Sequence, residues 1–390
     1  MGAVIVGFAR TPFAKYMGAF ATVPATALGA HAIRAALERA GVGGDQVDRV
    51  LMGQVLQGGA GQGPARQAAV GGGVPLTVPA ATINAVCLSG TEAVAQGAML
   101  IETGRARIVV AGGMESMTLA PHAWPGSRLG HRYGAVEFLD TMDHDGLWDA
   151  FEHIAMGAST EQHNAEHAVT REDQDAWAAE SHRRLETGAG FLEAEIAPYT
   201  IPGRKGDTVL AVDDGLRRGT TVDRLSSLAP AFGRGGGITA GNASQITDGA
   251  AAVILADEHV ARELGLTASA RVVGSAMVAG PDVSLHSQPS NAIRRALAGT
   301  GRTTDDLAAV EINEAFAAVA VVSTRELGVD PAIVNAYGGA IALGHPIGAS
   351  GARIVGHLAR RLAAAGSGSF GAAGICGGGG QGSAVLLEAI

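Results

Sequence analysis

Short runs of Val, Ile and Leu alternate along the chain with stretches whose apolar residues recur every three or four positions. Ala3 to Phe8 is an unbroken apolar run and predicts a strand buried on both faces. A loop with Arg10, Thr11 and Pro12 follows, then a helix predicted from Ala25 to Ala40 and closed by Gly41. The pattern recurs. Arg271 to Ser275 is again a short apolar strand, AIRRAL at 292–297 repeats AIRAAL at 32–37, and Asp45, Val47 and Val50 line up with Asp305, Leu307 and Val310. Such self-similarity at a constant offset marks an internal duplication.

The correspondence extends further. Ile83-Asn84 leads to Cys87 in the first half and Val334-Asn335 leads to GHPIGASG (344–351) in the second, each entering a helix. The halves also close alike, with DGAAAVILAD (248–257) matching QGSAVLLEAI (381–390). Buried strands alternating with helices predict an α/β architecture. Residues from about Leu119 to Ala243 have no counterpart in the second half and read as an inserted, loop-like domain. The expected division is 1–118 plus 244–268, 119–243, and 269–390. Within the insertion, Thr160 to Glu186 predicts a helix pair, with Thr170 and Asp173 set as a capping box. The tract 201–234 carries Arg204, Lys205, Arg217, Arg218, Arg224 and Arg234 mixed with aspartates, which is also what an ordinary solvated loop looks like.

Composition narrows the function. With 390 residues, 47% hydrophobic and 17% charged, the chain can bury more than one core. A net charge of −9 argues against a general nucleic-acid or membrane-surface binder while allowing a local basic patch for one anionic ligand. Two cysteines almost a chain apart do not form a disulfide framework, and the start lacks the charged and apolar regions of a signal peptide, so a reducing, cytoplasmic setting is expected.

Four stretches can carry chemistry. In TINAVCLSGTEAV (82–94), Cys87 stands where an extended lead-in gives way to a helix expected to end near Leu100. The helix N-terminus is expected to favour its thiolate, since such settings bring a cysteine pKa from about 8.5 down to roughly 3.5–7.5. A lone cysteine in apolar surroundings is equally compatible with core packing. In GHPIGASG, His345 lies among small or rigid residues just before a helix starting near Ser350, whose free N–H groups are expected to face an anion or developing oxyanion. In ICGGGGQG (375–382), Cys376 precedes four glycines and is expected to face a cleft; no GKS or GKT ending or GxGxxG supports a phosphate cradle. NEAFA (313–317) puts Asn313 and Glu314 at the end of a strand predicted over 308–312. No metal site is expected: the cysteines lack ligand spacing, and His163 and His167, read as i,i+4 on a helix, come without an HExxH glutamate.

Taken together, NAVCLSG, GGMESM (112–117), RKGDT (204–208), TAGNAS (239–244), NEAFA, GHPIGASGAR and CGGGGQG resemble the thiolase family in order and over the whole length, as does QVLQGGAGQGPARQAA (54–69). The resemblance implies a duplicated fold of two βαβαβαββ halves in five α-β-α-β-α layers, with the insertion helping to bind coenzyme A. It implies Cys87 as the acyl-accepting nucleophile, His345 and Asn313 as its partners, Cys376 as the acid/base cysteine, and Gly378 as an oxyanion N–H donor with Cys87. It further implies coenzyme A contacts at Arg217 and Ser244, with Met156, Phe232, Ala315 and Phe316 about the ligand. The implied reaction is the reversible condensation of two acetyl-CoA to acetoacetyl-CoA, or cleavage of a 3-ketoacyl-CoA, with coenzyme A as substrate and no permanently bound cofactor. A homotetramer or homodimer is implied as well. Two positions depart from the family pattern. Ala155 stands where biosynthetic acetoacetyl-CoA thiolases usually carry histidine, which would admit longer or branched acyl groups, and Arg224 stands where several have serine. Carrier-protein-dependent ketoacyl synthases share the fold, but Cys376 speaks against them, and all catalytic positions being filled speaks against a non-enzymatic lipid carrier.

Overall fold

The apolar run at the N-terminus extends two residues past Phe8 and forms β1 (Ala3–Arg10), buried along nearly its whole length. In the computed structural model, which describes residues 2–204 and 206–390, its ten-stranded sheet also holds the two-residue strand Ala14–Lys15, beside Thr247 and Asp248, and eight longer strands. They are β2 (Arg49–Gly53), β3 (Ala80–Ile83), β4 (Ile108–Glu115), β5 (Thr247–Asp257), β6 (Ala270–Ala279), β7 (Ala309–Ile312), β8 (Phe370–Gly377) and β9 (Gln381–Ala389). The main helices are α1 (Ala25–Ala40), α2 (Pro64–Gly71), α3 (Ser89–Glu102), α4 (Met156–His163), α5 (Arg171–Glu193), α6 (Gln288–Leu297), α7 (Ala317–Leu327) and α8 (Ser350–Ala365). Lys205 of the RKGDT motif lies outside the described residues.

The sheet runs β7-β8-β9-β6-β1-β5-β4-β2-β3. The first half pairs β3, β2 and β4 in parallel and then β5 and β1 antiparallel. In the second, β7 and β8 are parallel, β9 and β6 antiparallel, and a parallel bridge from Val310 to Val334 stands where β3 stands in the first. The duplication seen in the sequence is therefore a duplication of strand order. The halves join where Val4 and Ile5 pair with Arg271 and Ala270.

Three apolar clusters set the layering. One holds α1 and α2 against the first half-sheet and another holds α6 against the second. Between them, α3 and α8 pack together, their Ala, Val, Ile and Leu facing both half-sheets. This gives five layers, helices alternating with sheet. The central pair is tight because glycine meets backbone: a Cβ on Gly90 would fall 2.6 Å from the Ala352 nitrogen, and one on Gly351 2.3 Å from that of Thr91.

Local signals placed the helices well. Gly41 ends α1 in the left-handed conformation at φ 67°, which a glycine adopts without steric cost. The predicted capping box is present: Asp173 N–H donates to Thr170 Oγ1 at 3.1 Å, and Thr170 N–H donates to the Asp173 carboxylate at 3.2 Å. One expectation fails. His163 is the last residue of α4 and the chain turns before Ala168 at φ 50°, so His163 and His167 do not share a helix. His163 faces Glu166, whereas His167 meets Ser284 Oγ at 3.2 Å.

The insertion is tied to the core by buried charge. Arg10 grips Asp213 with two hydrogen bonds of 2.6 and 2.8 Å and Glu195 with one of 3.2 Å, while His357 and Arg360 of α8 also face Glu195. Burial alone would raise the Glu195 carboxyl, but His357, Arg10 and Arg360 outweigh it and hold it down at about 2. Its folded pKa thus lies below the unfolded value of about 4.3, and the stabilisation is present above that pH and lost as pH falls toward 2. Denaturant unfolding should show stability falling between about pH 4 and 2. Glu195→Ala, which leaves buried Arg10 with Asp213 alone and removes the carboxylate that joins it to α8, should cost about 3–5 kcal/mol at neutral pH.

Candidate active site

Cys87 sits just ahead of α3, on a loop whose preceding residue, Val86, takes a strained φ of 51°. Asn84 braces that loop, its Oδ1 accepting from Val86 N–H at 3.1 Å and its Nδ2 donating to Val55 O at 3.3 Å. The cysteine packs against Val55, Leu56, Met117 and Ile347, the last of these two residues beyond His345. The two loops that the duplication aligns are therefore in contact.

The expectation of a dipole-lowered thiol is overturned. Burial pushes Cys87 up to about 12, and the charge of Glu115 adds to the rise; its own backbone N–H and that of Gly378 oppose it but do not prevail. Cys87 lies two residues before the first residue of α3, with protein crowding its sulfur, so desolvation dominates the helix end. It rests as a thiol. The backbone N–H groups of Cys87 and Gly378 nonetheless both act on the sulfur, which places two donors next to where the carbonyl oxygen of an acyl group on that sulfur would lie.

His345 is buried, and burial with the charge of Arg353 lowers its pKa to about 3, so the ring is neutral near pH 7. Its backbone N–H donates to Gln245 O at 3.1 Å, and Nδ1 lies 2.6 Å from Ser350 Oγ. The Ser350 hydroxyl donates to Pro346 O at 3.1 Å, leaving its oxygen to accept from Nδ1–H. That network assigns the lone pair to Nε2 and makes His345 a base. Asn313, at the end of β7 as expected, brings Nδ2 to 3.4 Å from the ring nitrogens. Its Oδ1 is buried without a partner among the described residues and is free to accept one hydrogen bond.

Two further expectations are corrected. Cys376 does not face an open cleft. It is 1% exposed, lies within β8 opposite Gly382, and packs with Leu285, Ala315 and Val319, because β8 continues through Gly377 and only the later glycines form the turn. Burial raises its pKa, and the charge of Cys87 contributes to the rise. The N–H groups around the start of α8 are also not free for a ligand. Those of Ala349 and Ser350 donate to Pro346 O, and that of Gly348 donates to Glu115.

A cavity of about 590 Å³ opens above this floor between the insertion and both halves. Its lining includes Met156, Arg217, Phe232, Ser244, Phe316 and His345 of the expected residues, together with Ala155. Cys87, Cys376, Asn313, Gly378 and Ala315 lie beneath or beside it rather than in its wall. Ser244 N–H donates to Ala315 O at 3.0 Å, stitching TAGNAS to NEAFA, and a Cβ at Gly378 would lie 3.7 Å from Met156 Sδ. Phe232 and Phe316 meet edge to face with centroids 6.4 Å apart. Arg217 is exposed, with one hydrogen bond from Nη1 to Ala240 O, so most of its guanidinium is open to a phosphate. Arg218 is paired with Glu186, and Arg224 donates to Gly219 O.

Glu115, Ser350 and Lys15 with Tyr16 at the cavity mouth were not singled out from the sequence. The first two stand inside the motifs GGMESM and GHPIGASG, which was the available signal.

Residues 3–259 match the family profile described as thiolase, N-terminal domain, and residues 266–389 the one described as thiolase, C-terminal domain. The chain belongs to the thiolase family. It is 53% identical over 388 residues to a protein of Mycolicibacterium smegmatis named probable acetyl-CoA acetyltransferase, covering 99% of this chain and 100% of that one. A Cupriavidus necator protein named acetyl-CoA acetyltransferase is 47% identical over 99% of this chain and 98% of its own. The crystal structure of the Bacillus anthracis acetyl-CoA acetyltransferase superposes with a TM-score of 0.96 at 36% identity, covering 100% of this chain and 99% of that one. As a thiolase-family chain it has an acyltransferase's scaffold, and its cavity is the natural place for an acyl-CoA.

Gly157 tests the cavity wall. A Cβ there would fall 2.2 Å from the Phe232 ring. Gly157→Ala should displace Phe232 and raise KM for the acyl-CoA by about tenfold while changing kcat less, read from steady-state kinetics.

Proposed function

We propose that this chain is an acetyl-CoA C-acetyltransferase, interconverting two acetyl-CoA with acetoacetyl-CoA and coenzyme A through an acyl group on Cys87. What supports the reading is one convergence: Cys376 within range of the Cys87 charge, the backbone N–H groups of Cys87 and Gly378 beside the Cys87 sulfur, and a neutral, tautomer-fixed His345 beside Asn313. The relatives' names point the same way.

In the first step His345 Nε2 takes the Cys87 proton as the sulfur attacks the thioester carbonyl. The N–H groups of Cys87 and Gly378 hold the tetrahedral oxyanion, and coenzyme A leaves as a thiolate that takes the Cys376 proton, while His345 keeps the Cys87 proton on Nε2. Exchange of one thioester for another is nearly thermoneutral, so the step runs both ways. Because burial disfavours a resting thiolate, proton transfer accompanies attack. In the second step the Cys376 thiolate so formed removes a proton from the methyl carbon of a second acetyl-CoA, and the enolate oxygen is held by the Nε2–H of His345 and a water on Asn313 Oδ1. That carbon attacks acyl-Cys87 and the Cys87 sulfur departs, taking back its proton from His345, while Cys376 keeps the methyl proton and is again a thiol. Residues 119–243 act as the coenzyme A-binding loop domain, with Arg217 on the nucleotide, Ser244 near the pantetheine, and Met156, Phe232, Ala315 and Phe316 around the chain.

The protein is further read as a cytoplasmic homotetramer or homodimer. No helix among the described residues is long and apolar enough to cross a membrane. The insertion exposes Leu129 at 93% and Tyr133 at 97%, apolar surface that a second copy would cover.

Cys87→Ala should abolish acyl-enzyme formation, whereas Cys376→Ala should still be acetylated by acetyl-CoA yet fail to condense; intact-protein mass spectrometry separates the two. An acetyl group on Cys376 of the wild type would sink the assignment. Coenzyme A-dependent loss of acetoacetyl-CoA should exceed that of a longer 3-ketoacyl-CoA; the reverse would favour the broader, degradative reading that Ala155 leaves room for. Light scattering of the purified protein should report a dimer or tetramer.

A further inference from the structure

Glu115 closes β4 and is fully buried, yet the reaction as described gives it no part. Its carboxylate accepts three backbone N–H groups from two separate loops. Oε2 takes Val55 N–H at 2.9 Å and Gly348 N–H at 2.9 Å, and Oε1 takes Leu56 N–H at 3.1 Å. The first loop runs on to Cys87: Val55 O accepts from Asn84 Nδ2, Asn84 Oδ1 accepts from Val86 N–H, and Cys87 packs against Val55 and Leu56. The second loop is the one that begins with His345. A Cβ at Gly348 would fall 2.7 Å from Glu115 Oε2, so the approach is as close as a backbone without a side chain allows.

The geometry points to Glu115 as a positioning residue for acyl transfer, its ionised carboxylate clamping the loop of His345 to the loop of Cys87. The inference rests on the reading of Cys87 as acyl acceptor. An ionised carboxylate can accept all three donors, whereas a protonated one puts a hydrogen where one of the N–H groups points, so protonation loosens the clamp. From β5 it faces Asp248 and from the loop before α3 the Cys87 thiol; the 54–57 turn and the 346–349 segment carry no ionisable side chain. Burial, with Asp248 adding, raises Glu115 to about 7, while the three N–H groups pull it back. His345 at about 3 and Cys87 at about 12 leave Glu115 as the group of this set that changes charge near neutrality.

The test is the rate of Cys87 alkylation by iodoacetamide in the full-length protein, followed by peptide mapping between about pH 5.5 and 8.5. A thiol titrating alone gives a logarithmic rate rising with slope one throughout. Loss of the Glu115 charge by itself favours the Cys87 thiolate and would flatten the slope below about pH 7, whereas the clamp predicts slope one above that pH and a steeper fall below it, as the loop of His345 loosens from that of Cys87. Glu115→Gln should remove the break and, although loss of the charge favours the Cys87 thiolate, lower alkylation and kcat at pH 8 by roughly 10–100-fold through the loosened loops, with KM for acetyl-CoA within about twofold of the wild type. A wild-type slope of one across the whole range overturns the inference even if the variant fails to fold. So does a folded Glu115→Gln protein that matches the wild type in rate and slope. A wild type that shows the break but accepts no acetyl group from acetyl-CoA would support the clamp and overturn the acyl-transfer reading instead.

Discussion

Everything at this site depends on how closely two helix entrances can approach. Gly90 of α3 faces the Ala352 backbone, Gly351 of α8 faces that of Thr91, and Gly113 of β4 lies so near the Gly348 carbonyl that a Cβ would fall 1.9 Å from it. These are contacts of main chain with main chain, which only residues without side chains permit. They bring the loop before α3 and the loop before α8 edge to edge, and the two carry Cys87 and His345. Neither half-sheet could build the site by itself.

That packing has an electrostatic consequence. Protein crowded around Cys87 and His345 removes water from both, which raises the thiol and lowers the imidazole until both rest neutral. The site thus stores no ion pair between nucleophile and base. It offers fixed dipoles instead, the two N–H groups on the sulfur and the Ser350 hydroxyl on the ring, aimed at charge that forms only during reaction. The buried ion pairs are gathered elsewhere, where Arg10 meets Asp213 and Glu195 and anchors the insertion that walls the cavity.

The elements were legible because their signals are local. The run of Ala3 to Phe8, the Gly41 stop and the Thr170–Asp173 cap each depend on a few neighbouring residues, and the repeated AIRAAL and AIRRAL announced a repeated strand order. The motifs also named the stretches that meet. What they could not convey is the state of each group on arrival. Cys87 looked activated because a helix follows it, yet its pKa is set by the protein packed around the sulfur from other parts of the chain. Cys376 looked exposed because glycines follow it, yet β8 carries the strand past it into the core. The N–H groups after His345 looked free, and they are spent on Pro346 and on Glu115.

The sequence by itself determined the duplicated α/β plan, the insertion and the order of the chemistry-bearing motifs, since periodicity, caps and repeats are properties of neighbouring residues. Only the tertiary structure decided which loops touch, which groups are neutral and which carboxylate joins the loops. Those outcomes depend on solvent exclusion and on contacts between residues as far apart as Glu115 and Gly348, and neither can be read from spacing along a chain.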